Sequence, residues 1–292
     1  MLEFFEKYFP MGFSTRDISA GVLGAVFVAL ISSKTIDSAR KRQTRKKIEA
    51  KREIVQKRKD DLTQRLMVEG ELITVDRKHI LALVYASILR VNSTRMTSQL
   101  FLENPNYAMP NAKALSVDEK INVVCDFILE ATSWAEGLKN VPIEQRGSLY
   151  GLPISVKECF FVKGYDATIG LSGLINKPAL EDSPYVKFIK DAHGIPFCLT
   201  NIPQTMVSYS CSNPVYGNTC NPHDLLRTPG GSSGGEGALI AAGASLLGIG
   251  SDIGGSLRIP SHFSGVVGLK PTNGRIYQGT GLHTKNEISM TT

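Results

Sequence analysis

Several patterns that define specialised proteins are missing from this chain, and each absence narrows the possibilities. The five cysteines, Cys125, Cys159, Cys198, Cys211 and Cys220, include no C-x-x-C pair. An odd, unpaired set argues against a disulfide framework or a zinc site and favours reduced thiols in an intracellular domain. No G-x-x-x-x-G-K-[ST] occurs, so the glycine-rich stretches do not make a P-loop phosphate cradle. No internal repeat is present, and low complexity is confined to one basic segment. The single tryptophan, Trp134, falls in an apolar-periodic stretch and reads as core. Positive charge is concentrated, not widespread. Residues 34–65 hold 13 Lys or Arg against 5 Asp or Glu, so the net charge of +6 leaves −2 for everything else. A near-neutral remainder excludes a domain-wide basic surface, and nucleic acid is not an expected partner.

What is present fits a globular α/β protein: 42% apolar residues, 27 glycines and 14 prolines in 292 residues, enough for one large domain or two small ones. Ile18–Ser33 is an uncharged run of 16 residues. As a helix it reaches roughly 24 Å, against about 30 Å for a bilayer core, a shortfall that thinning and snorkelling of Arg16 and Lys34 could absorb. Glu3, Glu6 and Asp17 outweigh Lys7 and Arg16 before the run, while seven Lys or Arg between Lys34 and Lys47 follow it. A secretory signal carries its positive charge in front, so the order suits an anchor with the rest of the chain in the cytosol. The expected organisation is an N-terminal membrane anchor over 1–33, a basic helical stalk over 34–75 and a catalytic domain over 76–292. A buried or interfacial helix is the alternative for the first segment. The stalk reads as a solvated charged helix, with attraction to anionic lipid as the functional alternative.

Further along, 76–91 carries Ile80, Leu83, Val84 and Ile88 at helical spacing, and 104–111 reads as a proline loop. A second helix is expected over 116–139, with Ser116 and Glu119 in capping-box spacing and Ile121, Val124, Phe127 and Ile128 facing inward. From Leu149 short apolar segments alternate with turn residues. A strand and its exit are expected over 152–162, further strands over 194–200 and 245–250, the last of them buried, and helices over 185–192 and 235–244. That alternation predicts a mixed β-sheet covered by helices.

The chemistry sits in two glycine loops, Pro229-Gly-Gly-Ser-Ser-Gly-Gly235 and Asp252-Ile-Gly-Gly-Ser256, and upstream in Gly151-Leu-Pro-Ile-Ser-Val-Lys157. One reading is a nucleophile elbow, because Gly230-Gly-Ser-Ser-Gly234 satisfies G-x-S-x-G with Asp252 and His262 or His283 following in order. A structural reading makes the glycines tight turns and the serines caps. The third uses both serine loops and the lysine together.

In that third arrangement Lys157, Ser232 and Ser256 resemble the Ser-Ser-Lys triad of the amidase signature family. The likeness continues through Arg258-Ile-Pro-Ser261 and Gly265-Val-Val-Gly-Leu-Lys-Pro-Thr272 and covers about Leu149–Gly274. Within the family, Thr200-Asn-Ile-Pro-Gln-Thr-Met206, Cys211-Ser-Asn-Pro214 and Glu236 are most similar to the members that hydrolyse fatty-acid amides. The resemblance implies Ser256 as nucleophile, Lys157 as base and Ser232 as proton relay. It also implies substrate contacts from Met206 and Ser232 and an oxyanion hole from the amides of Ile253, Gly254, Gly255 and Ser256. A lysine serves as base only when neutral, which burial favours; strand alternation turns Glu158 to the other face.

The implied activity is hydrolysis of fatty-acid primary amides and N-acylethanolamines through an acyl-enzyme, with no metal or cofactor. The implied partners are a lipid amide and a membrane, endoplasmic reticulum or other endomembrane, and a second copy in a homodimer. The implied domain continues well past Thr292, so a fragment or short isoform is expected. An inactive, membrane-anchored partner is the alternative.

Overall fold

The computed structural model describes the backbone of residues 15–69 and 110–272, with side chains over 37–64 and 113–272. It divides into two units, 1–47 and 48–292. The expected helix over 76–91 lies outside the described residues.

Helix α1, Thr15–Glu69, contains the uncharged run and continues without a break into the basic segment. No helix among the described residues is long and apolar enough to cross a membrane. The expectation of a spanning helix is corrected accordingly: 16 uncharged residues, three of them serine, give way directly to charge at Lys34, short of the ~20 apolar residues that a span requires.

Within the second unit, residues 48–64 of α1 do not form a bare solvated stalk. Lys51, Val55, Arg58 and Leu62 follow one another at intervals of four, three and four, a single helical stripe. Val55 and Leu62 are buried, and Lys51 is only 4% exposed. Lys51 Nζ lies 3.0 Å from Asp166 and 3.6 Å from Asp126, and Arg58 donates to Asp126 at 2.6 Å. Lys59 pairs with Asp118. Arg52 donates to the carbonyls of Val215 and Pro214. Sequence charge alone suggested solvation because it does not show where the carboxylates stand.

Helix α2 (Pro110–Ile121), strand β1 (Val124–Phe127) and helix α3 (Ala131–Leu138) replace the single helix expected over 116–139. Asn122 takes a φ of 52°, a left-handed conformation that ends α2. Val123, Val124, Cys125, Asp126 and Phe127 are all buried, and β1 pairs with a later strand. A strand buried on both faces can imitate helical periodicity over a few residues. Ser116 and Glu119 are exposed inside α2, so they cap nothing.

The remaining elements are β2 (Pro153–Lys157), α4 (Pro184–Asp191), β3 (Ile195–Thr200), β4 (Ser212–Asn213), β5 (Gly217–Asn218), α5 (Gly234–Ala241), β6 (Leu247–Ile249) and α6 (Arg258–Ser264). The main sheet has the order β1-β3-β2-β6; β1 is antiparallel to β3, and β2 is parallel to both β3 and β6. This is the mixed sheet that was expected. β6 differs from expectation in being half-exposed, since among the described strands it pairs only with β2.

Apolar clusters cover both faces. Phe127, Phe197, Ala238 and Leu239 pack on one, with Leu62 of α1. Ile154, Val156, Val186, Ile189 and Leu199 pack on the other. Trp134 lies against this second cluster with Lys190 over its ring at 4.1 Å. Strand alternation therefore sends Ile154 and Val156 one way and Ser155 and Lys157 the other, toward α5.

Candidate active site

Lys157 ends β2, a strand buried along its whole length, and its side chain is 0% exposed. Its Nζ is 2.8 Å from Ser232 Oγ and 2.8 Å from Ser251 Oγ. Burial pushes the Lys157 ammonium below the ordinary lysine range, against the opposing fields of Cys159, Cys211, Glu236 and Asp252. Its two hydrogen-bond partners are hydroxyls, not carboxylates.

Ser232 is buried in the loop before α5. The loop fits because glycine lets α5 press onto β3: a Cβ on Gly235 would overlap the backbone nitrogen of Asn201. Ser233 N donates to the carbonyl of Ser256 at 2.9 Å, which ties the first glycine loop to the second. Ser233 Oγ also accepts from Ser251 N at 3.3 Å. Both loops thus converge on the end of β2. Among the described residues, no hydrogen bond links the half-buried Ser256 hydroxyl to Ser232 or Lys157.

The second loop is organised by Asp252. Its carboxylate accepts from the amide of Gly255 at 2.7 Å and from those of Leu257 and Arg258 at 3.2 Å. The Arg258 guanidinium adds two bonds of 2.9 Å. Burial raises the Asp252 carboxyl, but Arg258 and these amides outweigh it and hold it well below the usual carboxylate range. Of the four amides from Ile253 to Ser256, that of Gly255 is therefore already engaged. Gly255 adopts a φ of 118°, open to glycine and strained for other residues. Ile253 is 55% exposed.

Met206 lies in a short turn with φ of 60° and packs against the cluster of Cys159, Ile169 and Ile202. Glu158 is fully buried away from Lys157, accepting from Thr168 N at 2.5 Å, Thr168 Oγ1 at 2.7 Å and Ile169 N at 3.0 Å. Burial raises its carboxyl to about 7 despite those donors.

The elbow arrangement finds no support in this geometry. Ser232 meets a lysine, Asp252 meets Arg258, and His262 is exposed with its ring beside Phe263. His283 lies outside the described residues. Ser251 was not anticipated from the sequence. The available signal was its place two residues after β6, near the end of the neighbouring β2. Ser155, Thr200 and Ser245 were likewise missed as a set; the first two bond Glu236, and Ser245 bonds Ser155.

Residues 111–289 match the amidase family. The chain belongs to that family. It is 52% identical over 173 residues to fatty acid amide hydrolase 1 of Caenorhabditis elegans, covering 58% of this chain and 30% of that protein. It is 38% identical over 270 residues to a vitamin D3 hydroxylase-associated protein of Gallus gallus, covering 91% and 56% respectively. A solved fatty acid amide hydrolase superposes with a TM-score of 0.66 at 26% identity, covering 81% of this chain and 45% of that one. The chain spans between about a third and just over half of these relatives. The amidase signature fold, with its mixed sheet and helices, agrees with the resemblance carried by the two glycine loops and Lys157.

Proposed function

We propose that this protein hydrolyses long-chain acyl amides through Ser256, Ser232 and Lys157. The observation that carries the reading is the contact of a fully buried lysine with a serine hydroxyl, Lys157 Nζ to Ser232 Oγ at 2.8 Å, where burial favours the neutral amine. Ser256 attacks the amide carbonyl, and its proton passes by way of Ser232 to Lys157. Collapse of the tetrahedral intermediate breaks the C–N bond, and the proton returns through Ser232 to the departing amine. Water then attacks the acyl-Ser256 ester by the same relay, releasing fatty acid and free serine. The amides of Ile253, Gly254 and Ser256 bind the oxyanion, each donor contributing about 3 kcal/mol; the Gly255 amide, held by Asp252, positions the loop. Met206 and Ser232 border the substrate.

The preference for fatty-acid primary amides and N-acylethanolamines rests on the relatives named above. Attachment to an endomembrane, with the catalytic unit on the cytosolic side, belongs to the same proposal and rests on the apolar run followed by basic residues. So does a homodimer. Fractionation with carbonate extraction and sedimentation of the purified chain test these two points.

The catalytic proposal is tested with a serine-directed fluorophosphonate and an oleoyl amide. Labelling and hydrolysis are expected in the wild type and abolished by Ser256→Ala and Lys157→Ala, with His262→Ala retaining most activity. Faster turnover of short-chain than long-chain amides would overturn the substrate class.

A second reading is a catalytically inactive, membrane-attached partner. It is favoured by apolar exposure beside the second loop, where Ile253, Val267 at 95% and Leu269 at 79% face solvent, since water exclusion strengthens site electrostatics. Folded protein that takes no label would support it.

A further inference from the structure

Beside the triad stands a buried carboxyl to which the reaction above assigns no role. Glu236 lies four residues after Ser232, on the first turn of α5, and is 5% exposed. Its carboxyl reaches the two strands that flank the lysine. Oε2 is 2.5 Å from Ser155 Oγ on β2, two residues before Lys157. Oε1 accepts from Thr200 Oγ1 at 2.7 Å, and Thr200 is the register partner of Lys157. Space for the carboxyl exists because position 248 is glycine; a Cβ there would overlap Oε2.

Hydrogens can be counted along this network. Ser155 Oγ is also 2.9 Å from Ser245 Oγ, and Ser245 Oγ is 2.9 Å from the carbonyl of Leu247. Three oxygen–oxygen contacts of 2.9 Å or less therefore join Glu236, Ser155, Ser245 and Leu247 in a row, and a longer one of 3.4 Å joins Ser155 Oγ to the Leu247 carbonyl. Ser155 and Ser245 carry one hydroxyl hydrogen each, and the carbonyl carries none. If Glu236 is ionised, two hydrogens serve three contacts, and one buried pair of oxygens faces lone pair to lone pair. If Glu236 carries the proton, each of the three short contacts has one hydrogen, running Glu236 to Ser155 to Ser245 to Leu247. Thr200 donates to the remaining oxygen in both cases. Glu158 differs: two of its donors, Thr168 N and Ile169 N, are backbone amides, which cannot reverse.

We propose that Glu236 is held as a neutral carboxylic acid and acts as a positioning residue, joining α5 to β2 without placing an anion beside Lys157. Burial independently pushes this carboxyl up to about 7, opposed by the Ser155 and Thr200 bonds and by Lys157. The other groups facing the lysine are consistent with a neutral amine. Burial raises the Cys159 thiol to about 11 and that of Cys211 to about 12, and Asp252 is neutralised by Arg258. Cys198, whose thiol burial raises strongly, is the remaining titratable group that senses Glu236. The consequence for catalysis rests on the amidase reading; the protonation state does not.

The test uses the full chain and two readouts. Infrared difference spectra near neutral pH, wild type minus Glu236→Gln, should show the carbonyl stretch of a protonated carboxylic acid lost in the variant. Glu158→Gln serves as control for the other buried glutamate. In parallel, the pH dependence of fluorophosphonate labelling should keep the position of its acid limb in Glu236→Gln, because one neutral group replaces another. Ser245→Ala removes the nearer acceptor of the Ser155 hydrogen, leaving the Leu247 carbonyl at 3.4 Å against Glu236 at 2.5 Å, and so turns that hydrogen toward Glu236. It should favour the carboxylate, weaken the acid band and move the acid limb up by about one pH unit. This variant also carries the test if Glu236→Gln does not fold. No lost band, or an acid limb displaced to lower pH in Glu236→Gln, would overturn the proposal. If no variant and no wild type takes label, the amidase reading fails while the infrared result still decides the state of Glu236.

Discussion

Two lysines in this chain are almost equally buried, and their surroundings give them opposite characters. Lys51 enters the second unit from α1 and lies between the carboxylates of Asp126 and Asp166. Lys157 ends a central strand and meets two serine hydroxyls. The first is an ion-paired clamp between a helix and the sheet. The second has no carboxylate bond to stabilise its charge, so desolvation pushes it toward the free amine. Burial alone therefore does not decide whether a lysine is structural or basic; the partner does.

The largest effect should come from removing the hydroxyl-bound lysine. Lys157→Ala is expected to lower hydrolysis by ~10²–10⁴-fold per folded molecule, the usual contribution of a general base. Comparable loss in Lys51→Ala, measured per folded molecule, would break the distinction. Lys51→Ala should instead destabilise by about 3–5 kcal/mol, since Asp126 and Asp166 would be left buried with less compensation. Combining it with Asp166→Asn should recover part of that loss, a coupling readable from a double-mutant cycle of urea midpoints.

A smaller effect concerns pH. Glu158, raised to about 7, binds its proton in the folded state at pH values where the unfolded chain has released it. Between the unfolded carboxyl pKa, about 4.3, and 7, the folded state holds the extra proton, so this group's contribution makes stability fall as pH rises, by up to about 1.4 kcal/mol per pH unit. Lys157 acts in the opposite sense. Above its lowered folded value the unfolded lysine holds the extra proton, and stability rises with pH. Glu158→Gln should flatten the first slope and Lys157→Met the second, measured by urea unfolding across the two windows. The smallest effect is expected at the exposed pair of Lys187 and Asp191, where Lys187→Ala should change stability by about 0–1 kcal/mol.

Much of the site was legible because its chemistry is local in the chain. The runs around Lys157, Ser232 and Ser256 each carry their own glycine, apolar or serine pattern, and the alternation after Leu149 predicted the mixed sheet. The failures have a common origin. Val124 and Phe127 satisfied a helical period, yet their burial comes from pairing with β3, some seventy residues away. The basic segment looked solvated because Asp118, Asp126 and Asp166 lie far along the chain. Ser251 carried no motif; only the parallel register of β2 and β6 sets it beside Lys157. The apolar run was judged by length and flanking charge, and length proved the stricter limit.

By itself, then, the sequence determined the family and the three residues on which hydrolysis is proposed to turn, because glycine loops, a serine and a lysine write their conformational needs into consecutive positions. Tertiary structure alone decided which charges are buried and what neutralises them. Lys51 among carboxylates, Lys157 among hydroxyls and Glu236 at the head of a serine chain differ only in what distant segments bring to them. Protonation follows from that environment, because desolvation and hydrogen bonding act through space and not along the chain.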